Sequence, residues 1–264
     1  MNELALNNLG IAITRPANQS TTLSKLITGN GGTPILFPMI EISALQDYEI
    51  FEQKIRELTR YDWAIFISSN AVQHGMPQLL KLFECIPPDL NFATIGPVTA
   101  SELAKFGVQH VLTPLDRFDS ESLLDLAEMQ SVENKRIMIF RGVGGREILA
   151  DTLKARGAQV DFAECYQRIN PQMDTNLLAT LWQNKQLHAA VVTSSEAMRH
   201  LLDLSMTSRK INDWIKHIVL CVSHPRIAEV PFALGLKVAT ANAPGDEAML
   251  QCLINTLAKK DSLA

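Results

Sequence analysis

Along the chain, short β-branched apolar runs alternate with longer stretches in which apolar residues recur at helical spacing. The strand-like runs are Gly10–Thr14, Thr33–Phe37, Trp63–Ile67, Phe92–Ile95, His110–Leu112, Arg136–Phe140, Gln159–Cys165, Ala189–Thr193, Ile218–Val222 and Lys237–Thr240. Helical patterns between them include Gln19–Thr28, Val72–Phe83, Thr99–Phe106, Ser122–Met129 and Glu147–Arg156. Alternation of this kind predicts an α/β protein with parallel sheets covered by helices. Ten such strands are too many for one compact five-stranded unit and suit two.

The pattern also repeats. Ile67-Ser68-Ser69-Asn70-Ala71-Val72 resembles Thr193-Ser194-Ser195-Glu196-Ala197-Met198, 126 residues later. Ile95-Gly96 aligns with Val222-Ser223, Gly107 with Gly235, and Asp119-Ser120-Glu121 with Gly245-Asp246-Glu247. Arg15, after the first strand, aligns with Arg141. Self-similarity at so long a period signals a duplicated domain, not a solenoid. Two cuts satisfy it. One falls near Gln130–Asn134 and gives contiguous halves. The other follows the second strand of each copy past its expected end, through Pro38 and through Tyr166 to Pro171, as a two-stranded ribbon. That cut gives one domain of 1–37 plus 172–264, a second of 43–165, and linker strands at 38–42 and 166–171. Periodicity alone does not choose between them.

Composition narrows the function classes. With 264 residues, 47% of them hydrophobic and 20% charged, the chain can bury a sizeable core and is not disordered. A net charge of −4 argues against a surface built for nucleic acid or an anionic membrane, while leaving room for a local basic pocket. The start of the chain lacks a basic, apolar leader pattern, and no run approaches the ~20 apolar residues of a membrane span. A soluble, cytoplasmic protein is expected. The four cysteines (Cys85, Cys165, Cys221, Cys252) form no close pair and read as buried reduced thiols, not as a metal or disulfide framework.

The candidate chemistry sits at strand-to-helix turns. Ser68-Ser69 and Ser194-Ser195 stand where serine caps a helix and where free N–H groups and the helix dipole attract anions. Capping alone accounts for any one of them. The turn Arg141-Gly142-Val143-Gly144-Gly145-Arg146-Glu147 offers close backbone approach and two guanidinium groups. It lacks both dinucleotide and P-loop spacing. Gly96-Pro97-Val98-Thr99 is a third such turn, with Pro97 suited to the first helical position. Tyr166 and Arg168 lie two residues apart and so on one strand face. The histidines form neither a metal spacing nor a catalytic triad, and no paired-carboxylate motif occurs.

Taken in order, these segments resemble the uroporphyrinogen-III synthase family across nearly the whole chain. The resemblance runs from Ile11-Ala12-Ile13-Thr14-Arg15-Pro16, through the turns above and Cys165-Tyr166-Gln167-Arg168, to Pro244-Gly245-Asp246-Glu247-Ala248-Met249-Leu250. It implies two flavodoxin-like parallel-sheet domains joined by a two-stranded β ribbon, with substrate in the cleft between them, which selects the discontinuous cut. It implies cyclisation of hydroxymethylbilane, a linear tetrapyrrole, with loss of water and inversion of ring D, without cofactor or metal. Tyr166 would assist departure of the hydroxyl. Substrate would be held at Ser68, Ser69, Gly96, Thr99, Thr193, Ser194, Ser195 and Ser223, beside Arg15, Arg141, Gly142, Arg146 and Arg168. A monomer is expected, with transient handover of substrate from the preceding enzyme, and with no nucleic acid or membrane partner. The rival readings are a two-lobed binding module that releases a small anion unchanged, and a nucleotide-dependent transferase. The latter is disfavoured by the missing glycine fingerprint at Arg15-Pro16-Ala17-Asn18.

Overall fold

The computed structural model describes residues 4–145, 147–171, 173–174, 176–207 and 210–257. The chain forms two compact units, Met1–Glu41 with Ile169–Ala264, and Ile42–Arg168. It begins in the first unit with β1 (Gly10–Ile13), α1 (Thr21–Gly29) and β2 (Thr33–Leu36). Next come β3 (Glu41–Ala44), α2 (Glu49–Ile55), β4 (Trp63–Phe66), α3 (Ser69–Leu82), β5 (Asn91–Thr94) and α4 (Pro97–Ala104). The second unit continues with β6 (Val111–Leu112), α5 (Ser120–Leu124), α6 (Ala127–Gln130), β7 (Arg136–Gly142), α7 (Ile148–Ala155) and β8 (Gln159–Ile169). The chain then returns to the first unit for α8 (Leu177–Gln183), β9 (Ala189–Val192), α9 (Ser195–Leu204) and an antiparallel pair, β10 (Met206–Thr207) with β11 (Lys210–Ile211). It ends with α10 (Asp213–His217), β12 (Val219–Val222), α11 (Pro225–Ala233), β13 (Val238–Thr240) and α12 (Asp246–Leu257).

The first sheet has the order β2-β1-β9-β12-β13 and is parallel throughout. The second has the order β3-β8-β7-β4-β5-β6, with β8 to β6 parallel. β1 and β7, β2 and β8, and β4 and β9 each start 126 residues apart. Matched in this way, both sheets have the order second, first, third, fourth, fifth, with β3 added at one edge. Each unit takes two strands from one copy of the repeat and three from the other. In this order the strand direction of travel reverses between the first and third strands, where open α/β sheets bind ligands at the carboxyl ends.

The central strands are largely apolar because helices cover both faces. In the first unit Ala12, Ala190, Val192 and Leu220 face α8 to α11, while Ile11, Ile13, Val191 and Cys221 face α1 and α12. In the second, Ala64, Phe66, Met138 and Phe140 face α2 to α4, while Ile65, Ile137 and Ile139 face α5 to α7. The helix expected over Ser122–Met129 is broken into α5 and α6 by extended backbone at Leu126. Leu123, Leu124 and Met129 are all buried, and a spacing of five to six residues fits no single helical stripe, so the break brings Met129 back to the core. Cys165, Cys221 and Cys252 are buried free thiols as expected, but Cys85 is exposed.

Candidate functional site

In the second unit the strand order reverses between the parallel neighbours β4 and β7, and singled-out residues stand at the ends of both. Ser68 leaves β4 in extended conformation and caps α3, its Oγ accepting the Ala71 N–H at 3.1 Å. Ser194, after β9, does the same for α9, with its Oγ 3.1 Å from the Ala197 N. Each duplicated serine therefore satisfies one helix-end donor and leaves others free. Ser69 and Ser195 are the first helical residues that follow, and Thr193, half-buried, comes directly after the end of β9.

The third pair of turns corrects the expected alignment. Gly96 caps α4 with Pro97 at the first helical position, and His224 caps α11 with Pro225 at the first. His224-Pro225 is thus the counterpart of Gly96-Pro97, one residue beyond Ser223, with the imidazole Nδ1 accepting the Arg226 N–H at 3.1 Å. Ser223 instead donates to the Thr193 carbonyl at 3.3 Å, tying two strand ends together. Thr99 is buried in the first turn of α4.

At the end of β7, Arg141 is only 3% exposed. Its guanidinium donates to the carbonyls of Gly142 and Gly144 and lies 4.4 Å over the Phe162 ring. No ion pair to it exists among the described residues. A guanidinium stays charged in proteins, and a buried charge without a counter-ion is costly. Arg141 lines a cavity of about 280 Å³ together with Gly142, Gly144, Gly145, Ser120 and the exposed Arg168. Gly145 has φ of +109°, and a Cβ there would stand 2.9 Å from Arg141 Nη2, so glycine keeps this wall open. The Gly144 N–H is already taken by Glu164 Oε1 at 3.1 Å. Arg146 lies outside the described residues.

Tyr166 is fully buried in the core of this unit. Its hydroxyl stands 3.3 Å from Ser68 Oγ, and a Cβ on Gly142 would fall 2.7 Å from the ring. Arg168 lies above the ring, 5.9 Å from its centroid. His74, on α3, packs beside it with ring centroids 5.8 Å apart. Desolvation pushes the His74 imidazole below its ordinary pKa. The unfolded chain then takes up this proton first as pH falls, so folded-state stability is present above about pH 6.5 and declines below it. His74→Gln should reduce the loss of urea resistance between pH 7 and 5.5.

Arg15, also expected among the anion-binding residues, has an internal partner. Its Nη1 is held 2.6 Å from Asp246 Oδ1 at the start of α12, with both side chains only 16% exposed. Removing one partner strands a poorly solvated charge, so Asp246→Asn should cost about 1–3 kcal/mol in urea unfolding. Among the described residues, no group of three or more histidines, cysteines or acids could hold a metal ion.

Sequence reasoning did not single out five exposed apolar residues at the carboxyl edge of the second sheet: Val98, Leu115, Phe118, Val143 and Ile148. They stand beside the serine, glycine and arginine turns, and Phe118 lies against Gly96 at 3.1 Å from where a Cβ would be. Their signal was apolar side chains at turns, where polar ones are usual. The edge can therefore receive flat apolar rings and anionic groups together.

The sequence model of the family described as uroporphyrinogen-III synthase HemD matches residues 21–251. The chain is 34% identical to uroporphyrinogen-III synthase of Escherichia coli, over 93% of this chain and 100% of that protein. It is 36% identical to the enzyme of that name from Proteus mirabilis, over 74% and 98%. In fold it resembles a uroporphyrinogen III synthase from Thermus thermophilus, with a TM-score of 0.63 at 16% identity over 95% of this chain and 99% of that one. It also resembles the synthetase from Helicobacter pylori, with a TM-score of 0.60 at 14% identity over 94% and 99%.

Proposed function

The chain belongs to the uroporphyrinogen-III synthase family, and from that premise we propose that the turns at the carboxyl edge of the second sheet hold its substrate and that Tyr166 assists loss of the substrate hydroxyl. The protein is a cyclising lyase of tetrapyrrole synthesis, closing hydroxymethylbilane to uroporphyrinogen III with ring D inverted and water lost.

The observation that carries the placement is Arg141. A buried guanidinium lacking a counter-charge, on the wall of an open cavity, is completed by an incoming carboxylate. The substrate bears carboxylates on every pyrrole ring, and the apolar residues at this edge suit the rings between them. Arg168, Gly142, Ser68, Ser69, Gly96 and Thr99 belong to the same binding edge. Arg146 is assigned there by sequence position alone. In the first unit, the Ser194 cap offers equivalent geometry to further carboxylates, beside Thr193, Ser195 and Ser223.

The chemistry asks for orientation more than for strong acid. The hydroxymethyl group ionises readily, and unassisted closure joins the chain ends without inversion. The enzyme must favour attack by an already substituted carbon, and holding the reacting atoms in place is worth roughly 7–11 kcal/mol in favourable intramolecular cases. No cofactor or metal enters this scheme. We assign the protein to the cytoplasm, as a monomer that receives its substrate from the preceding enzyme.

Consumption of hydroxymethylbilane should rise in proportion to added enzyme; a rate no faster than spontaneous closure would reject the reading. Tyr166→Phe should lower turnover about tenfold or more while leaving the product isomer unchanged. Full activity in that variant would remove the tyrosine from the mechanism.

A further inference from the structure

We propose that Ser68 is the residue whose proton meets the leaving hydroxyl, and that Tyr166 acts behind it, positioning and recharging it; this rests on the reaction given above. Tyr166 has no exposed surface, so its phenol does not itself reach a ligand at the turn. Its oxygen lies 3.3 Å from Ser68 Oγ and has no other hydrogen-bond partner among the described residues. A buried phenol without an acceptor is penalised, so the tyrosine O–H donates to the serine.

That direction fixes the serine. A hydroxyl oxygen has two acceptor sites and one proton. In Ser68 one acceptor site takes the Ala71 N–H and the other takes Tyr166, which leaves the serine proton to point away from both. Ser68 is only partly buried, at the carboxyl end of β4. The repeat singles it out. Ser194 has the same cap distance of 3.1 Å, but the residue 126 positions before Tyr166 is Ile40, which has no hydroxyl to stand behind a serine. One copy of the turn therefore has a two-hydroxyl chain and the other has only a cap.

In the proposed step the substrate C–O bond breaks and its electron pair goes to oxygen. That oxygen takes the Ser68 proton and leaves as water, while the Ser68 oxygen takes the proton of Tyr166. The pyrrole nitrogen lone pair forms the new double bond toward the exocyclic carbon. The phenolate left behind lies beneath Arg168, whose guanidinium is 5.9 Å from the ring centroid. The proton released from carbon when the macrocycle closes returns through Ser68 to Tyr166, so no outside acid or base is consumed.

The test is a double-mutant cycle on kcat at saturating hydroxymethylbilane, with thermal unfolding of each variant. Glycine is tolerated at a helix cap almost as well as serine but has no proton to give, so Ser68→Gly separates the two roles. Tyr166→Phe, Ser68→Gly and the double variant should all lose about tenfold or more in kcat, within twofold of one another, and Ser68→Thr should recover most of the loss. A double variant slower by the product of the single losses would overturn the relay, because Tyr166 would then act without Ser68. So would a Ser68→Gly variant with wild-type kcat. If the wild-type protein forms no type III product, the reaction itself is rejected and the relay with it.

Discussion

Gly142→Ala is expected to lose about tenfold or more in turnover, as much as removing the Tyr166 hydroxyl itself, although it adds only one methyl group. The new Cβ would lie 2.7 Å from both Cε2 and Cζ of Tyr166, closer than such contacts are found. The ring cannot retreat, because it is wholly buried in a cluster that includes Cys165, Phe140 and Phe66. Overpacking of this kind costs about 1–3 kcal/mol of stability. Its effect on chemistry is separate, since displacing a positioned group lowers turnover wherever geometry supplies the rate. Here the displaced atom is the hydroxyl that contacts Ser68. Turnover measured beside thermal unfolding separates the two effects, and a folded variant with unchanged kcat would show that the Tyr166 position is unimportant.

Arg141→Met should do the opposite to stability. Removing a buried guanidinium that has no ion-pair partner among the described residues relieves a desolvation cost, and methionine keeps much of the packing against Phe162. Unfolding free energy should hold steady or rise. The Michaelis constant should rise about 10- to 100-fold, the range expected from losing a charge-assisted hydrogen bond to a substrate carboxylate of ~1.5–3 kcal/mol. Arg141→Lys should fall between, because the charge survives without the planar fork. An unchanged Michaelis constant in the methionine variant would return Arg141 to a purely internal role.

What the sequence disclosed followed from local chemistry. The strands are rich in β-branched and other apolar residues, so the ten runs stood out. Ser68 and Ser194 were legible as caps because serine bonds its own helix three residues on, and the structure gives both the same geometry. What escaped depends on residues far apart in the chain. The Arg15–Asp246 pair spans 231 residues, and the Ser68–Tyr166 contact spans 98; no local pattern reports either. The burial of Tyr166 was hidden for the same reason, since alternation along a strand does not say which face meets the core. Alignment of the copies through Ser223 falls one residue short, because the shared feature is a cap followed by Pro97 or Pro225. Which strands share a unit was not legible from periodicity, because contiguous and exchanged copies have the same repeat.

The central claim is that this protein decides which carbon of a flexible, many-carboxylate chain forms the last bond. The direct measurement is the isomer composition of the products from fresh hydroxymethylbilane, oxidised and resolved as type I and type III porphyrins at increasing protein concentration. The account predicts a shift toward nearly pure type III as enzyme outpaces spontaneous closure. A product mixture that stays type I at every protein concentration would contradict it.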